Sequence, residues 1–186
     1  MRLLTVIAAV LVLTMSLSTP GALARQDDPR LDALFTQLVA ATDAAEAKAL
    51  ETSIWRIWTE AGDDRLDHMM DYGIGAMRAG QFGPALDSFN AIIDADPAFA
   101  EGWNKRATLY FYMGRYDESI SDVEKTLALE PRHFGALSGM GLIHTELDDE
   151  ATALEWFEHA LEVNPHMPFI LLRVEELRKK LQGEPI

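Results

Sequence analysis

A repeat of about 34 residues runs through most of this chain and constrains the possible fold more than any other feature of the sequence. Pro97, Pro131 and Pro165 are equally spaced, one repeat length apart, and each follows a polar residue at the end of an apolar-periodic stretch. The 186 residues are 48% apolar and 25% charged, so the chain carries enough apolar surface to fold as one domain. Counting back from the prolines gives three repeats, 66–99, 100–133 and 134–167.

Large and small side chains recur at fixed positions inside this frame. The eighth position is always small, and the twenty-fourth is always large and apolar. The small residues are Gly73, Ala107 and Gly141, and the large ones are Phe89, Val123 and Phe157. Such pairs let two helices of a hairpin approach closely, with the large group filling the space beside the small one. We therefore predict an all-α fold of stacked helical hairpins.

Each predicted hairpin also has a suitable turn. Gly80 and Gly114 tolerate the left-handed backbone that ends a helix, and Asp148 takes the same place in the third repeat. Over residues 66–167 the chain resembles the tetratricopeptide repeat family, whose unit is a pair of antiparallel helices. It departs from the family where Ala76 and Glu150 replace usual aromatic residues. The resemblance implies a right-handed α-solenoid.

Helical segments flank the three repeats. Residues 25–65 show two stretches of helical apolar spacing, which predict a degenerate first hairpin that closes the N-terminal end of the stack. Residues 168–186 predict a C-terminal capping helix that covers the last hairpin. The apolar residues assigned to this covering role are Phe169, Leu172, Leu177 and Leu181.

The first 24 residues have the composition of a signal peptide. Arg2 precedes an apolar run over residues 3–17, and small residues lead to a predicted cleavage site after Ala24. An uncleaved membrane anchor is the alternative, but the run is shorter than the roughly 20 residues that a spanning helix needs. We expect a periplasmic or secreted protein without stable membrane insertion after cleavage.

The charge of the chain limits its partners. The formal net charge is -14, which repels nucleic acid and anionic membrane surfaces and favours a basic protein or peptide partner. The chain has no cysteine, so it has neither disulfides nor a lipidated cysteine. We expect a protein or peptide partner and no nucleic acid.

The resemblance to tetratricopeptide repeats implies that the first helix of each hairpin lines a concave binding groove. Transferred to this chain, the groove residues are Met70, Ile74, Met77, Arg78, Asn104, Lys105, Thr108, Phe111, Tyr112, Ser138, Leu142 and Thr145. Such a mixture suits a peptide segment of a partner protein. The apolar members could equally complete packing between hairpins. We predict a non-catalytic adaptor of the periplasm or cell envelope.

One ligand class is disfavoured. Family members that bind a C-terminal carboxylate use lysine, asparagine and arginine at set groove positions, whereas this chain has Met70, Ile74, Gly135 and Gly139 at several of them. Only Lys105, with Asn104 beside it, is similar to that clamp. A carboxylate without several cationic donors is costly to desolvate.

Two other functions remain open at this level. The chain could self-associate through Trp55 and Trp58, so a homo-oligomer is possible. It could also be an enzyme or a small-ligand receptor that uses the stretch 135–141 with Arg132 and His133 at a helix N-terminus, where an anion could bind. The glycines of that stretch serve either close helix packing or the approach of a partner backbone.

The residues offer little support for catalysis. No histidine pair has the spacing of a zinc protease, although His144 and His159 could meet across the third hairpin. Ser138 and its neighbouring glycines do not have the spacing of a nucleophile elbow. We expect no enzyme activity, no cofactor and no metal.

Overall fold

The computed structural model describes residues 25–183, so the predicted signal peptide lies outside the described residues. Within this range the chain forms helices and no strand. After a short 3-10 turn at Arg25–Asp27, the helices are α1 Arg30–Ala40, α2 Ala44–Thr59, α3 Asp64–Arg78, α4 Phe82–Ala95, α5 Ala100–Tyr112, α6 Tyr116–Leu129, α7 Phe134–Glu146, α8 Glu150–Val163 and α9 Pro168–Gln182. The prediction of an all-α stack of helical hairpins is confirmed.

The helices of each hairpin pack through the predicted small residues. A Cβ atom added at Gly73 would lie 2.6 Å from Cε1 of Phe89, and one added at Gly141 would lie 2.5 Å from the ring of Phe157. Both rings are fully buried. The pairing of small and large positions is therefore a direct contact between the two helices of a hairpin.

The three turns have the expected backbone conformation. Gly80 has φ +72°, Gly114 has φ +69° and Asp148 has φ 59°. These left-handed residues end the first helix of each hairpin and reverse the chain.

The polar residues before the prolines close the ends of the second helices. The side chain of each accepts a hydrogen bond from the backbone N–H two residues later, at 3.1 Å for Asp96, 3.0 Å for Glu130 and 3.0 Å for Asn164. Glu130 and Asn164 are buried. The polar residue of the repeat therefore shapes the link between consecutive hairpins.

The N-terminal hairpin of α1 and α2 lies elsewhere than the sequence predicted. It does not simply close the N-terminal end of the stack, because its apolar face packs on repeats two and three. Phe35 and Trp58 contact Phe134 at the start of α7, and Nε2 of His166 lies 3.0 Å from the carbonyl oxygen of Leu38. The Trp55 and Trp58 rings of α2 pack against the Phe134 ring there. These contacts stabilise the hairpin in this position, although its sequence matches the repeat poorly.

Helix α9 packs on α8, as a capping helix should, but with a different face. Ile170, Val174 and Leu177 are its buried residues, whereas Phe169 and Leu172 are 58% and 60% exposed. The predicted covering role is correct for Leu177 and wrong for Phe169, Leu172 and Leu181. No helix in residues 25–183 is long and apolar enough to cross a membrane.

Candidate functional site

A groove lies between α5 and α7, the first helices of repeats two and three. Its volume is about 140 Å³. The walls come from Asn104, Thr108, Phe111 and Tyr112 of α5 and from Ser138, Gly139 and Leu142 of α7, with smaller side chains such as Ala107 and Ala136 below them. We call this the α5–α7 groove. It brings together six of the twelve groove residues predicted from the sequence.

Gly139 keeps the groove open. A Cβ atom added at this residue would meet no other atom within 4 Å, although the neighbouring glycines of α7 are in tight contact. Gly135 lies under Trp55, where an added Cβ would be 2.6 Å from the indole ring. Gly141 lies against Phe157. Two of the three glycines thus serve packing, and Gly139 alone leaves the helix backbone accessible to a guest.

The hydroxyl groups of the groove are already hydrogen-bonded within the chain. Thr108 Oγ1 donates to the carbonyl oxygen of Asn104 at 2.9 Å, and Ser138 Oγ donates to that of Gly135 at 3.1 Å. Phe111 and Leu142 contribute apolar surface beside them. The groove therefore presents apolar and aromatic surface, with hydroxyl oxygens that can still accept hydrogen bonds.

A buried carboxylate occupies the base of the same face. Glu101 is 1% exposed, and its oxygens contact Lys105 Nζ at 2.7 Å, His133 Nε2 at 2.9 Å and Asn104 Nδ2 at 2.9 Å. Burial raises the pKa of this carboxyl group, but the Lys105 ammonium and the hydrogen bond from His133 outweigh burial and lower the pKa from 4.5 to about 2. The two residues that are similar to a carboxylate clamp are thus already bound to a carboxylate of the chain itself.

Aromatic residues of α2 cover this buried network. The Trp58 ring stacks on His133 with centroids 4.1 Å apart, and Lys105 Nζ lies 5.0 Å from the Trp55 ring centroid. Trp58 is 2% exposed and Trp55 is partly buried. Helix α2 therefore covers Glu101 and lies against Gly135, a residue that lines the α5–α7 groove. The prediction that Trp55 and Trp58 form a self-association surface is wrong. Trp58 is buried, and both rings pack against other rings of the same chain.

The remaining predicted groove residues lie outside the α5–α7 groove. Met70 is 1% exposed in the core of repeat one, and Ile74 and Met77 pack against the same core. Arg78 is exposed at the end of α3, and Thr145 donates its hydroxyl to the Gly141 carbonyl oxygen. Of the two roles that the sequence left open for Met70, the structure shows the core.

The start of α7 is not free to bind an anion. Nδ1 of His133 accepts the backbone N–H of Ala136 at 3.0 Å, so the ring proton lies on Nε2, which donates to Glu101. Arg132 contacts the carboxylates of Glu130 and Asp32. The groups that could hold an anion there already have partners.

The other histidines also have contacts within the chain. His144 Nδ1 lies 3.3 Å from Asp149 Oδ2, and the His159 ring packs edge-on against Trp156. His68 Nδ1 lies 2.7 Å from the Asp64 carbonyl oxygen. In residues 25–183 no group of three or more metal-ligating side chains is close enough to hold a metal ion.

Glu101 was not predicted from the sequence as part of this site, whereas Gly139 belongs to the stretch 135–141 for which the sequence left close packing and the approach of a partner backbone open. Glu101 occupies the second position of its repeat, a position on the same helix face as Asn104 and Lys105. The spacing of three and four residues from Glu101 to Asn104 and Lys105 is the sequence signal that could have identified Glu101. Nothing local indicated that Trp55 would cover this face.

The fold and the α5–α7 groove define an α-solenoid with an inner face formed by the first helices of its hairpins. The family model of the tetratricopeptide repeat matches the sequence over residues 99–165. A TPR repeat-containing protein of Rhizobium etli is 34% identical over 198 residues, covering 98% of this chain and 97% of the relative. The chain belongs to the tetratricopeptide repeat family.

More distant relatives share only part of their length with this chain. The Hsp70-Hsp90 organizing protein of Triticum aestivum is 27% identical over 61% of this chain but only 19% of its own length. Among solved structures, the first TPR of Spaghetti bound to an HSP90 peptide has a TM-score of 0.60 at 22% identity, covering 64% of this chain and 94% of that one. The Sgt2 TPR domain from Aspergillus fumigatus has a TM-score of 0.60 at 22% identity and covers 67% and 87%. These structures agree with the all-α repeat fold.

Proposed function

We propose that this protein is a non-catalytic adaptor that binds an apolar segment of a partner protein in the α5–α7 groove. The open space beside Gly139 is the observation on which the proposal rests. Phe111, Tyr112 and Leu142 supply walls on which apolar side chains can be desolvated. Solved relatives of this fold bind peptides, as the HSP90 peptide on Spaghetti illustrates.

The chemistry of the inner face favours an uncharged segment over a C-terminal carboxylate. Lys105 and Asn104 are engaged by Glu101. A second carboxylate at this point would meet the charge of Glu101 in a buried setting and would have to displace it. The net charge of -14 favours basic residues in the partner outside the groove.

Selection from a displayed library of random twelve-residue peptides tests this function. We expect the wild-type protein to enrich peptides that contain large apolar residues. Binding of these peptides should not require a free C-terminus. Gly139→Leu should fill the groove and lose this enrichment while the protein stays folded, because a Cβ atom at this position meets no other atom within 4 Å. Gly75→Leu is the matched control, since Gly75 is also helical and open but lies on α3.

Equal enrichment by wild type and Gly139→Leu would refute the groove as the binding site. A requirement for a free C-terminal carboxylate in the enriched peptides would refute the ligand class.

We also propose that the adaptor works outside the cytoplasm, after cleavage following Ala24. The support is the order of residues 1–24, in which Arg2 precedes a short apolar run and then small residues. Mass measurement of the protein from the envelope and soluble fractions of its own host tests this. A chain that retains its first residues would contradict cleavage.

A further inference from the structure

The His133 ring lies where the N-terminal hairpin meets the stack of repeats. Trp58 of α2 stacks on this ring with planes inclined by 10°, and Trp55 packs edge-on against it with centroids 5.5 Å apart. The ring itself belongs to the link before α7, and its partner Glu101 belongs to α5. Three parts of the chain that are distant in sequence therefore meet at one imidazole.

The hydrogen bonds of His133 require the neutral ring. Nδ1 accepts the backbone N–H of Ala136 and so caps the N-terminus of α7, and Nε2 donates to Glu101. A proton added to Nδ1 would point at the Ala136 N–H, so a donor would face a donor and α7 would lose its cap. The docked arrangement therefore has no place for a second proton on the ring.

The charges that face His133 are already balanced. The Glu101 carboxylate attracts a proton on the ring, but its other oxygen already binds the Lys105 ammonium at 2.7 Å. Arg132, the preceding residue, is held by the Glu130 carboxylate at 3.0 Å. A cation at His133 would be the second for the single Glu101 carboxylate, and it would lie at a helix N-terminus, where the dipole is also positive.

Two other polar contacts of the hairpin do not depend on a proton in this way. Arg132 contacts Asp32 of α1, but the Asp32 side chain is 86% exposed, so this pair contributes little. His166 donates its Nε2–H to the carbonyl oxygen of Leu38, and a second proton on that ring would leave the bond in place. The contact between hairpin and repeats that is sensitive to protonation is therefore the one at His133.

We propose that His133 is a pH-sensitive latch, which holds the α1–α2 hairpin on the repeats while the ring is neutral and releases it when the ring takes up a proton. Histidine side chains titrate between pH 5 and 8. In the released state the ring is open to water and binds a proton without losing a hydrogen bond, so this state binds one more proton and gains population as the pH falls.

Release of the hairpin changes the inner face of the solenoid. Trp55 lies against Gly135, which lines the α5–α7 groove, so its departure uncovers helix backbone beside the groove. The latch is a regulatory device that goes beyond the proposed function. Its test needs no partner, because it concerns the hairpin itself.

Hydrogen–deuterium exchange, measured by mass spectrometry, reports the opening of each helix in the intact protein. Dividing each rate by the intrinsic exchange rate at the same pH gives the opening equilibrium. Peptides from α2 report release of the hairpin, and peptides from α4 report unfolding of the whole stack. Between pH 7 and pH 5 we expect the opening equilibrium of α2 to rise about twentyfold, which is the effect of one proton on a histidine with an ordinary pKa in the released state. The opening equilibrium of α4 should stay unchanged.

His133→Asn removes the titrating group and keeps the cap, because the asparagine oxygen accepts the Ala136 N–H. Its α2 should open more readily than in wild type at both pH values, since the contacts with Glu101 and Trp58 are lost. The change between pH 7 and pH 5 should be less than about twofold. His166→Gln is the matched control. It removes the other histidine that contacts the hairpin and should keep the twentyfold rise.

Nitrogen-15 NMR of the imidazole rings gives a second measurement on the wild-type protein, so the test does not depend on the folding of a variant. The docked state should show a neutral His133 ring with its proton on Nε2. The protonated ring should be found only where α2 has lost its protection from exchange.

A rise in α2 opening as large in His133→Asn as in wild type would overturn the latch, and so would a wild-type α2 whose opening is the same at both pH values. A protonated His133 ring beneath a protected α2 would also overturn it. An equal rise in α4 would mean unfolding of the whole stack and would contradict release of the hairpin alone. The α5–α7 groove is judged separately, by the library selection.

Discussion

His133 donates its Nε2–H to Oε2 of Glu101 across 2.9 Å, and neither side chain is exposed to solvent. This bond joins the start of α7 to the start of α5, beneath the aromatic rings of α2. It couples the position of the N-terminal hairpin to the residues at the base of the α5–α7 groove. Breaking it should therefore affect both stability and the shape of the inner face.

The Glu101 carboxylate should make the stability depend on acid pH. Its pKa is about 2 in the folded protein and near 4.5 when unperturbed, so its stabilising effect is present above pH 4.5 and is lost as the pH falls toward 2. We expect Glu101→Gln to be less stable than wild type at pH 7. The difference should shrink by roughly 3 kcal/mol on acidification. Urea unfolding of both proteins at several pH values measures it, and a constant difference would contradict the prediction.

Two alanine variants in one helix should have opposite effects. Gly135→Ala places a Cβ 2.6 Å from the Trp55 ring, so it should displace α2 and lower the unfolding free energy. Gly139→Ala meets open space and should raise it by up to about 1 kcal/mol through helix propensity. Denaturation midpoints and tryptophan fluorescence report both effects. If the denaturation midpoints of the two variants shift in the same direction, the assignment of Gly135 to packing and of Gly139 to open space is wrong.

Gly141→Leu should damage the third hairpin. The added side chain overlaps the Phe157 ring, which is fully buried. We expect a loss of about 3 kcal/mol in unfolding free energy. Gly75→Leu on α3 provides the control, because no atom lies within 4 Å of its Cβ position. A thermal midpoint for Gly141→Leu equal to that of the control would argue against the contact.

Arg106 should be important for the junction of repeats one and two. Its guanidinium group donates to both oxygens of Asp122 at 2.7 and 2.8 Å and to Asn90 at 2.8 Å, which joins helices α4, α5 and α6. Arg106→Leu leaves the buried Asp122 without its partner and should destabilise the protein by about 3 kcal/mol. Arg115→Leu removes the exposed pair with Glu118 and should hardly change the midpoint in chemical denaturation.

Tyr112→Ala should weaken capture of a groove-binding peptide while leaving helicity unchanged. Tyr112 is 60% exposed at the wall of the groove, so its loss removes contact surface without opening the core. Asn104→Ala should also weaken capture, but by disturbing Glu101, to which its amide donates. Tyr72→Ala is the control. Unchanged peptide affinity in Tyr112→Ala would place the ligand elsewhere.

Part of the candidate site followed from the repeat pattern. Phe111, Tyr112 and Leu142 could be assigned to one face because the register of the repeat puts them on first helices, and the structure brings them together. Met70 follows the same register, yet it is buried in repeat one. A register gives the direction of a side chain on its helix, but exposure depends on what packs against that face.

The sequence alone determined the hairpins, since contacts such as Gly73 with Phe89 join residues close in the chain and recur with the period. Only the tertiary structure decided where the N-terminal hairpin lies. Asp32 meets Arg132 across 100 residues, and Leu38 meets His166 across 128. Contacts at such separations leave no periodic trace in the chain, because each depends on the complementarity of surfaces that exist only after the hairpins have stacked.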